Sequence, residues 1–179
     1  MRSSVLLAST VLTVLLASGV AWAATVDCAN GSDLFCRGTD GPDTIYGTDG
    51  RDLVKAGGGT DKVYGRAGAD GDGELNAGLE GGDGDDDLFG DRGTDRLFGG
   101  RGGDFITGET HNFVGSAPGD LLAGGPGNDF FRARDGQKDR VYCGTGVDEV
   151  FADDSKKSGS NDTGVRDYVD DSCERVDRY

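Results

Sequence analysis

GTDGPDTIYGTDGRDLVKAGGGTDKVYG runs from Gly38 to Gly65. It divides into nines: GTDGPDTIY (38–46), GTDGRDLVK (47–55) and AGGGTDKVY (56–64). Each unit has Gly at position 4, Asp at position 6 and an aliphatic residue at position 8. The frame continues in both directions, and a fixed period of this kind signals stacked repeats.

GRAGADGDG (65–73) keeps the Gly and Asp but has Asp72 at position 8. GGDGDDDLF (81–89), GDRGTDRLF (90–98) and GGRGGDFIT (99–107) follow, then GSAPGDLLA (115–123) and GGPGNDFFR (124–132). ARDGQKDRVY (133–142) is one residue long, and CGTGVDEVF (143–151) closes the series of eleven units. Position 6 is Asp in all eleven, and Pro118 is the one exception to Gly at position 4. CANGSDLFC (28–36) fits the frame as a degenerate unit with Gly31, Asp33 and Phe35. ELNAGLE (74–80) and GETHNFV (108–114) read as insertions that enlarge turns, which cost little loop-closure entropy. A disordered Gly/Asp tract would not hold three residue types in register over so long a stretch.

The spacing has a physical meaning. Positions 1 to 5 are Gly-rich and suit a tight turn. Positions 6 to 9 suit a short strand whose position 8 faces one way and whose positions 7 and 9 face the other. One inward residue per strand makes no core alone. Stacked coils of two units would bury Ile45, Val54, Val63, Leu88, Leu97, Ile106, Leu122, Phe131, Val141 and Val150 in one line. Units i and i+2 then stack at roughly 4.8 Å. Asp43 falls over Asp61, Asp52 over Asp70, and Asp86 over Asp104. Such carboxylate columns repel unless a cation lies between turns. Carboxylate and carbonyl oxygens suit a hard cation taking 6–8 oxygen ligands, Ca²⁺ before Mg²⁺.

The units resemble the GGxGxDxUx nonapeptides of RTX (hemolysin-type) calcium-binding repeat proteins, with GGDGDDDLF and GGPGNDFFR the nearest matches. The resemblance covers residues 38–151. It implies an all-β, right-handed parallel β-roll, two nonapeptides per coil, with several Ca²⁺ ions between successive turns. The ligands it implies are the carboxylates of Asp43, Asp52, Asp61, Asp70, Asp86, Asp95, Asp104, Asp120, Asp129, Asp139 and Asp148. Turn carbonyls at Gly38, Gly41, Gly47, Gly50, Gly59, Gly84, Gly93, Gly102 and Gly127 complete the set. Many members leave the cell through a C-terminal signal, or carry the roll beside a protease, lipase, toxin or adhesin. This chain has an N-terminal leader and reads as the roll alone.

That leader is residues 1–23. Met1-Arg2 is a positive start, Val5 to Val20 is almost wholly apolar, and Ala21-Trp22-Ala23 reads as a cleavage site, so the expected location is secreted and extracellular. Residues 24–37 are expected as an N-terminal cap, 38–151 as the roll and 152–179 as a C-terminal cap. After cleavage the charge is about −16, from 17 Lys and Arg against 33 acids, of which 28 are Asp. Such a surface excludes nucleic acid and, once the leader is gone, anionic membranes as partners. Cys28, Cys36, Cys143 and Cys173 suit two disulfides in an oxidising compartment. Of three connectivities, Cys28–Cys36 and Cys143–Cys173 would tie down the two ends.

His111, the only histidine, sits in an insertion with no activated Ser or GxSxG elbow, so no catalytic residue is assigned. Two other readings share the composition. One is a small calcium-dependent carbohydrate-active enzyme using paired carboxylates. The other is an adhesion or matrix module meeting an extracellular glycan or protein through outer aromatics. Tyr46, Tyr64 and Phe89 hold position 9 in alternate units, as do Phe98 and Phe151 elsewhere. Cross-strand packing is the simpler role for such a stripe.

Overall fold

A computed structural model describes residues 23–28, 34–71, 78–108, 119–154 and 165–178. Residues 1–22 of the predicted leader, residues 74–77 and 109–114 of the predicted insertions, the flanking 72–73 and 115–118, residues 155–164 of the predicted C-terminal cap, Gly31 and Asp33 lie outside these, and His111 with them. No helix among the described residues is long and apolar enough to cross a membrane.

Each turn throws the chain from one sheet to the other, so odd and even strands separate. The first sheet stacks β1 (Ala24–Asp27), β3 (Asp43–Tyr46), β5 (Lys62–Tyr64), β7 (Asp87–Phe89), β9 (Phe105–Thr107), β11 (Phe130–Ala133), β13 (Glu149–Ala152) and β15 (Arg175–Arg178). The second stacks β2 (Leu34–Arg37), β4 (Asp52–Gly58), β6 (Leu79–Asp83), β8 (Arg96–Arg101), β10 (Leu121–Pro126), β12 (Arg140–Thr145) and β14 (Tyr168–Val169). Every pairing is parallel, which makes a parallel β-roll of two units per coil.

The core is the line between the sheets. Ile45, Val63, Leu88, Ile106, Phe131 and Val150 come from the first sheet and Val54, Leu97, Leu122 and Val141 from the second, all at most 1% exposed. Each such side chain contributes about 1.5–3 kcal/mol by burial.

Three details correct the nine-residue count. Leu79, expected inside an insertion, is fully buried and pairs with Val54 and Leu97. The fourth unit is therefore GRAGAD followed by Gly78-Leu79-Glu80, and the interruption of the count lies between Asp70 and Gly78. Asp72 could not take the core position without burying an unpaired carboxylate. Gly108 likewise belongs to the repeat: the Asp120 carboxylate reaches the point where its Cβ would be. At the N-terminal end Cys36, not Phe35, aligns with Val54; Phe35 is 54% exposed. The bond to Cys28 draws Cys36 inward.

Both disulfides are Cys28–Cys36 and Cys143–Cys173, closing separations of 8 and 30 residues. Chain-entropy reasoning gives them about 2.5 and about 3.6 kcal/mol. Beyond Ala152 the chain adds another coil: β14 pairs with β12 and β15 with β13. Val169 packs against the core while Tyr168 and Val176 stay largely exposed.

Candidate metal centre

The position-6 aspartates stand in two columns, one along each edge of the roll. In the first, the backbone N–H of Ala24 donates to Asp43 Oδ1 at 2.9 Å, and that of Asp43 to Asp61 Oδ1 at 2.7 Å. Asp61 donates to Asp86, Asp86 to Asp104, Asp104 to Asp129 and Asp129 to Asp148, at 2.8 to 2.9 Å. In the second column Asp52 donates to Asp70, Asp70 to Asp95, Asp95 to Asp120 and Asp120 to Asp139, at 2.7 to 2.9 Å. All eleven predicted aspartates are in these columns, none more than 3% exposed.

Two acids outside the repeats close the columns. Glu174 Oε2 accepts from Asp148 N–H at 3.0 Å, and Asp167 Oδ1 accepts from Asp139 N–H at 3.0 Å. Neither was predicted. The signal was present, since Asp167-Tyr168-Val169 and Glu174-Arg175-Val176 each place an acid two residues before an aliphatic residue.

The second carboxylate oxygen turns the other way, into the glycine turn. A Cβ built on Gly47 would lie 2.7 Å from both Asp52 Oδ2 and the Gly65 carbonyl oxygen of the next coil. On Gly90 it would lie 2.8 Å from Asp95 Oδ2 and 2.6 Å from the Gly108 carbonyl. Asp86 Oδ2 and the Gly99 carbonyl meet in the same way at Gly81. The first glycine of the unit thus clears a pocket where a carboxylate and a carbonyl from successive coils converge. Gly38 occupies it in the first unit. Gly65, Gly81, Gly90, Gly99 and Gly124 share the position and were not among the predicted ligand glycines. Their return at position 1 was the available signal.

The position-4 glycines form a separate column. A Cβ on Gly84 (φ 134°) would run into the Gly59 carbonyl, one on Gly102 into that of Gly84, and one on Gly127 into that of Gly102. Gly93 stands over Gly68 in the other column, and Gly59 over Gly41. Gly50 is exposed.

The columns are not uniform. Thr39 donates its N–H to Asp43 Oδ2 at 2.6 Å and its hydroxyl at 2.9 Å; Thr48 does the same for Asp52 at 2.7 and 3.2 Å. Beyond these first turns the second unit position carries no such threonine. There Oδ2 of Asp61, Asp70, Asp86, Asp104, Asp129, Asp139 and Asp148 is buried without a hydrogen-bond partner.

Burial and neighbouring negative charge hold these carboxyls far above their ordinary 3.8. Desolvation is the largest cause throughout. It takes Asp70 to about 8, Asp86 and Asp129 to about 7, Asp104 to about 6 and Asp139 to about 9. Asp52, Asp61 and Asp148 move up for the same reason. Buried, unpartnered carboxylate oxygens beside backbone carbonyls are an all-oxygen donor set. That set fits a hard divalent cation of the size of Ca²⁺.

The outer face of the first sheet carries six rings in sequence: Tyr46, Tyr64, Phe89, Phe105, Phe130 and Phe151. Their centroids are 4.9 to 5.8 Å apart. Phe98 is on the other sheet, in β8.

No curated protein and no solved structure matches the chain. The family model of the RTX calcium-binding nonapeptide repeat matches residues 37–71, 79–110 and 114–150, in four copies. These segments cover more than half the chain, which belongs to the RTX calcium-binding nonapeptide repeat family as a calcium-binding repeat protein.

Proposed function

We propose that this is a secreted, extracellular, non-enzymatic protein whose roll folds as Ca²⁺ enters the glycine turns. The observation that carries the proposal is the row of buried Oδ2 atoms without donors. Each is a charge that burial penalises until a cation neutralises it. The net charge of −15 acts in the same direction, because compaction brings those acids together. The ligands on this reading are the position-6 aspartates with turn carbonyls. Asp43 and Asp52 stand apart, since threonines already engage their second oxygens.

The aromatic stripe supports a packing role rather than a sugar platform. Tyr46, Tyr64 and Phe89 stack with interplanar angles of 12° and 7°, so their faces cover one another. The acids of the two columns serve the backbone ladder, which leaves no isolated carboxylate pair for glycoside chemistry among them.

Extracellular calcium sites bind at roughly 10⁻⁴–10⁻³ M, so the fold is expected at external and not at cytosolic calcium levels. Circular dichroism of the leader-free chain at pH 7.5 tests this. A β spectrum should appear on adding millimolar calcium and vanish with chelator. A full β spectrum in chelator overturns the coupling.

A further inference from the structure

One unit breaks the nine-residue count by a single residue, and its turn is built differently. In ARDGQKDRVY (133–142) the added length lies between β11 and Asp139. Asp135 Oδ1 accepts from the Gln137 N–H at 2.8 Å. The N–H groups of Asp135 and Gly136 donate to Asp153 Oδ2 at 3.2 and 2.7 Å. This pins the turn with Asp135 beside Asp120 and Asp139 of the second column.

One carboxylate oxygen each from Asp120, Asp135 and Asp139 lies within 4.8 Å of the other two. Asp139 is fully buried, and its Oδ2 has no hydrogen-bond partner. The Oδ2 of Asp135 is likewise shut from solvent without a partner. Two buried acceptors lacking donors, in a cluster of three acids, form a donor set suited to a cation. Oxygens that far apart can surround one ion at 2.3–2.6 Å each, the distance for Ca²⁺; Mg²⁺ requires about 2.0–2.1 Å and a stricter octahedron.

We propose that Asp120, Asp135 and Asp139 form a three-carboxylate site for a hard divalent cation of calcium size, distinguished from the repeating turns by Asp135. It rests on the reading of the repeats as cation sites. Affinity in oxygen sites rises with the number of charged ligands. This position therefore binds first as calcium rises, and an ion there orders the C-terminal part of the second column.

Calorimetric titration of the leader-free chain with calcium chloride tests the proposal, comparing wild type with Asp135→Asn and Asp135→Ser. Both replacements keep an oxygen for the Gln137 N–H, and circular dichroism in calcium checks that they fold. The wild type is expected to show a one-ion class about tenfold tighter than the rest. Both variants should lose that class and one ion per chain, whereas Asp86→Asn should lose an ion but keep it. Folded Asp135 variants that retain the tight class overturn the proposal and leave the repeat sites standing. Should neither variant fold, a wild-type titration without a one-ion tight class overturns it. A wild type that takes up no calcium overturns both readings. A wild type that takes up a single ion, lost in Asp135→Asn, supports this site and overturns the others.

Discussion

The backbone N–H of Asp61 donates to Asp86 Oδ1 at 2.9 Å across 25 residues of chain. In the neighbouring coils the same bond spans 18. The seven residues by which this separation exceeds its neighbours do not disturb the column, because the bond depends on coil stacking rather than on chain distance. Asp86 thus has one oxygen fixed by the previous coil and the other facing the Gly99 carbonyl at Gly81.

Asp86→Asn should act with opposite sign in the two states. With calcium it should lose one bound ion per chain and melt lower. In chelator it should shift the balance toward the fold by about 1–3 kcal/mol and so leave more residual β signal than the wild type, because an amide replaces a buried carboxylate oxygen that has no donor. Calorimetry and melts in calcium, with circular dichroism in chelator, check this. A variant that is destabilised in chelator as much as in calcium would count against the cation role of Asp86.

Gly65→Ala and Gly50→Ala separate the cleared pocket from glycine content in general. A Cβ on Gly65 would meet Asp70 Oδ2, the Gly90 carbonyl at 2.5 Å and Leu79 Cδ1 at 3.1 Å. One on Gly50 meets only Thr48 Oγ1, at 3.6 Å. Gly65→Ala should cost about 1–3 kcal/mol of calcium-loaded stability and weaken calcium uptake. Gly50→Ala should change stability by less than about 0.5 kcal/mol. Equal effects would sink the distinction.

The raised carboxyls set a pH dependence whose sign depends on the metal. Between the ordinary 3.8 and folded values of about 6 to 9, the folded chain holds protons that the unfolded chain has released. Metal-free stability is therefore greatest below about pH 4 and falls as pH rises through those folded values. In chelator, β signal should be higher at pH 4.5 than at pH 8. With calcium the order should reverse, because protons and cations compete for the same oxygens. A β signal in chelator that is flat from pH 4.5 to 8 would remove burial of these carboxyls as the cause.

Much of the site was legible because a coil of two equal units converts sequence period directly into stacking. Asp at position 6 and an aliphatic residue at position 8 predict both columns and the core line before any contact is known. Legibility ended where the count slipped. Leu79 was hidden because a contiguous count puts Asp72 in its place, and only the energy of a buried carboxylate decides between them. Cys36 displaced Phe35 for a reason that depends on Cys28 being across the sheets. Asp167 and Glu174 close the columns from a segment with no repeating glycines, so their role depends on β14 and β15 pairing with strands many residues earlier.

The amino-acid order alone determined the period, the inward residue of each strand and the oxygen-only character of the turns. Those properties repeat locally, and each unit states them again. The tertiary structure decided which oxygen of each aspartate is bound and which is left over. It also decided that Thr39 and Thr48 satisfy the first two carboxylates, and that Asp135 comes beside Asp120 and Asp139. These depend on what the next coil places within hydrogen-bonding distance, and a one-dimensional pattern does not contain that distance.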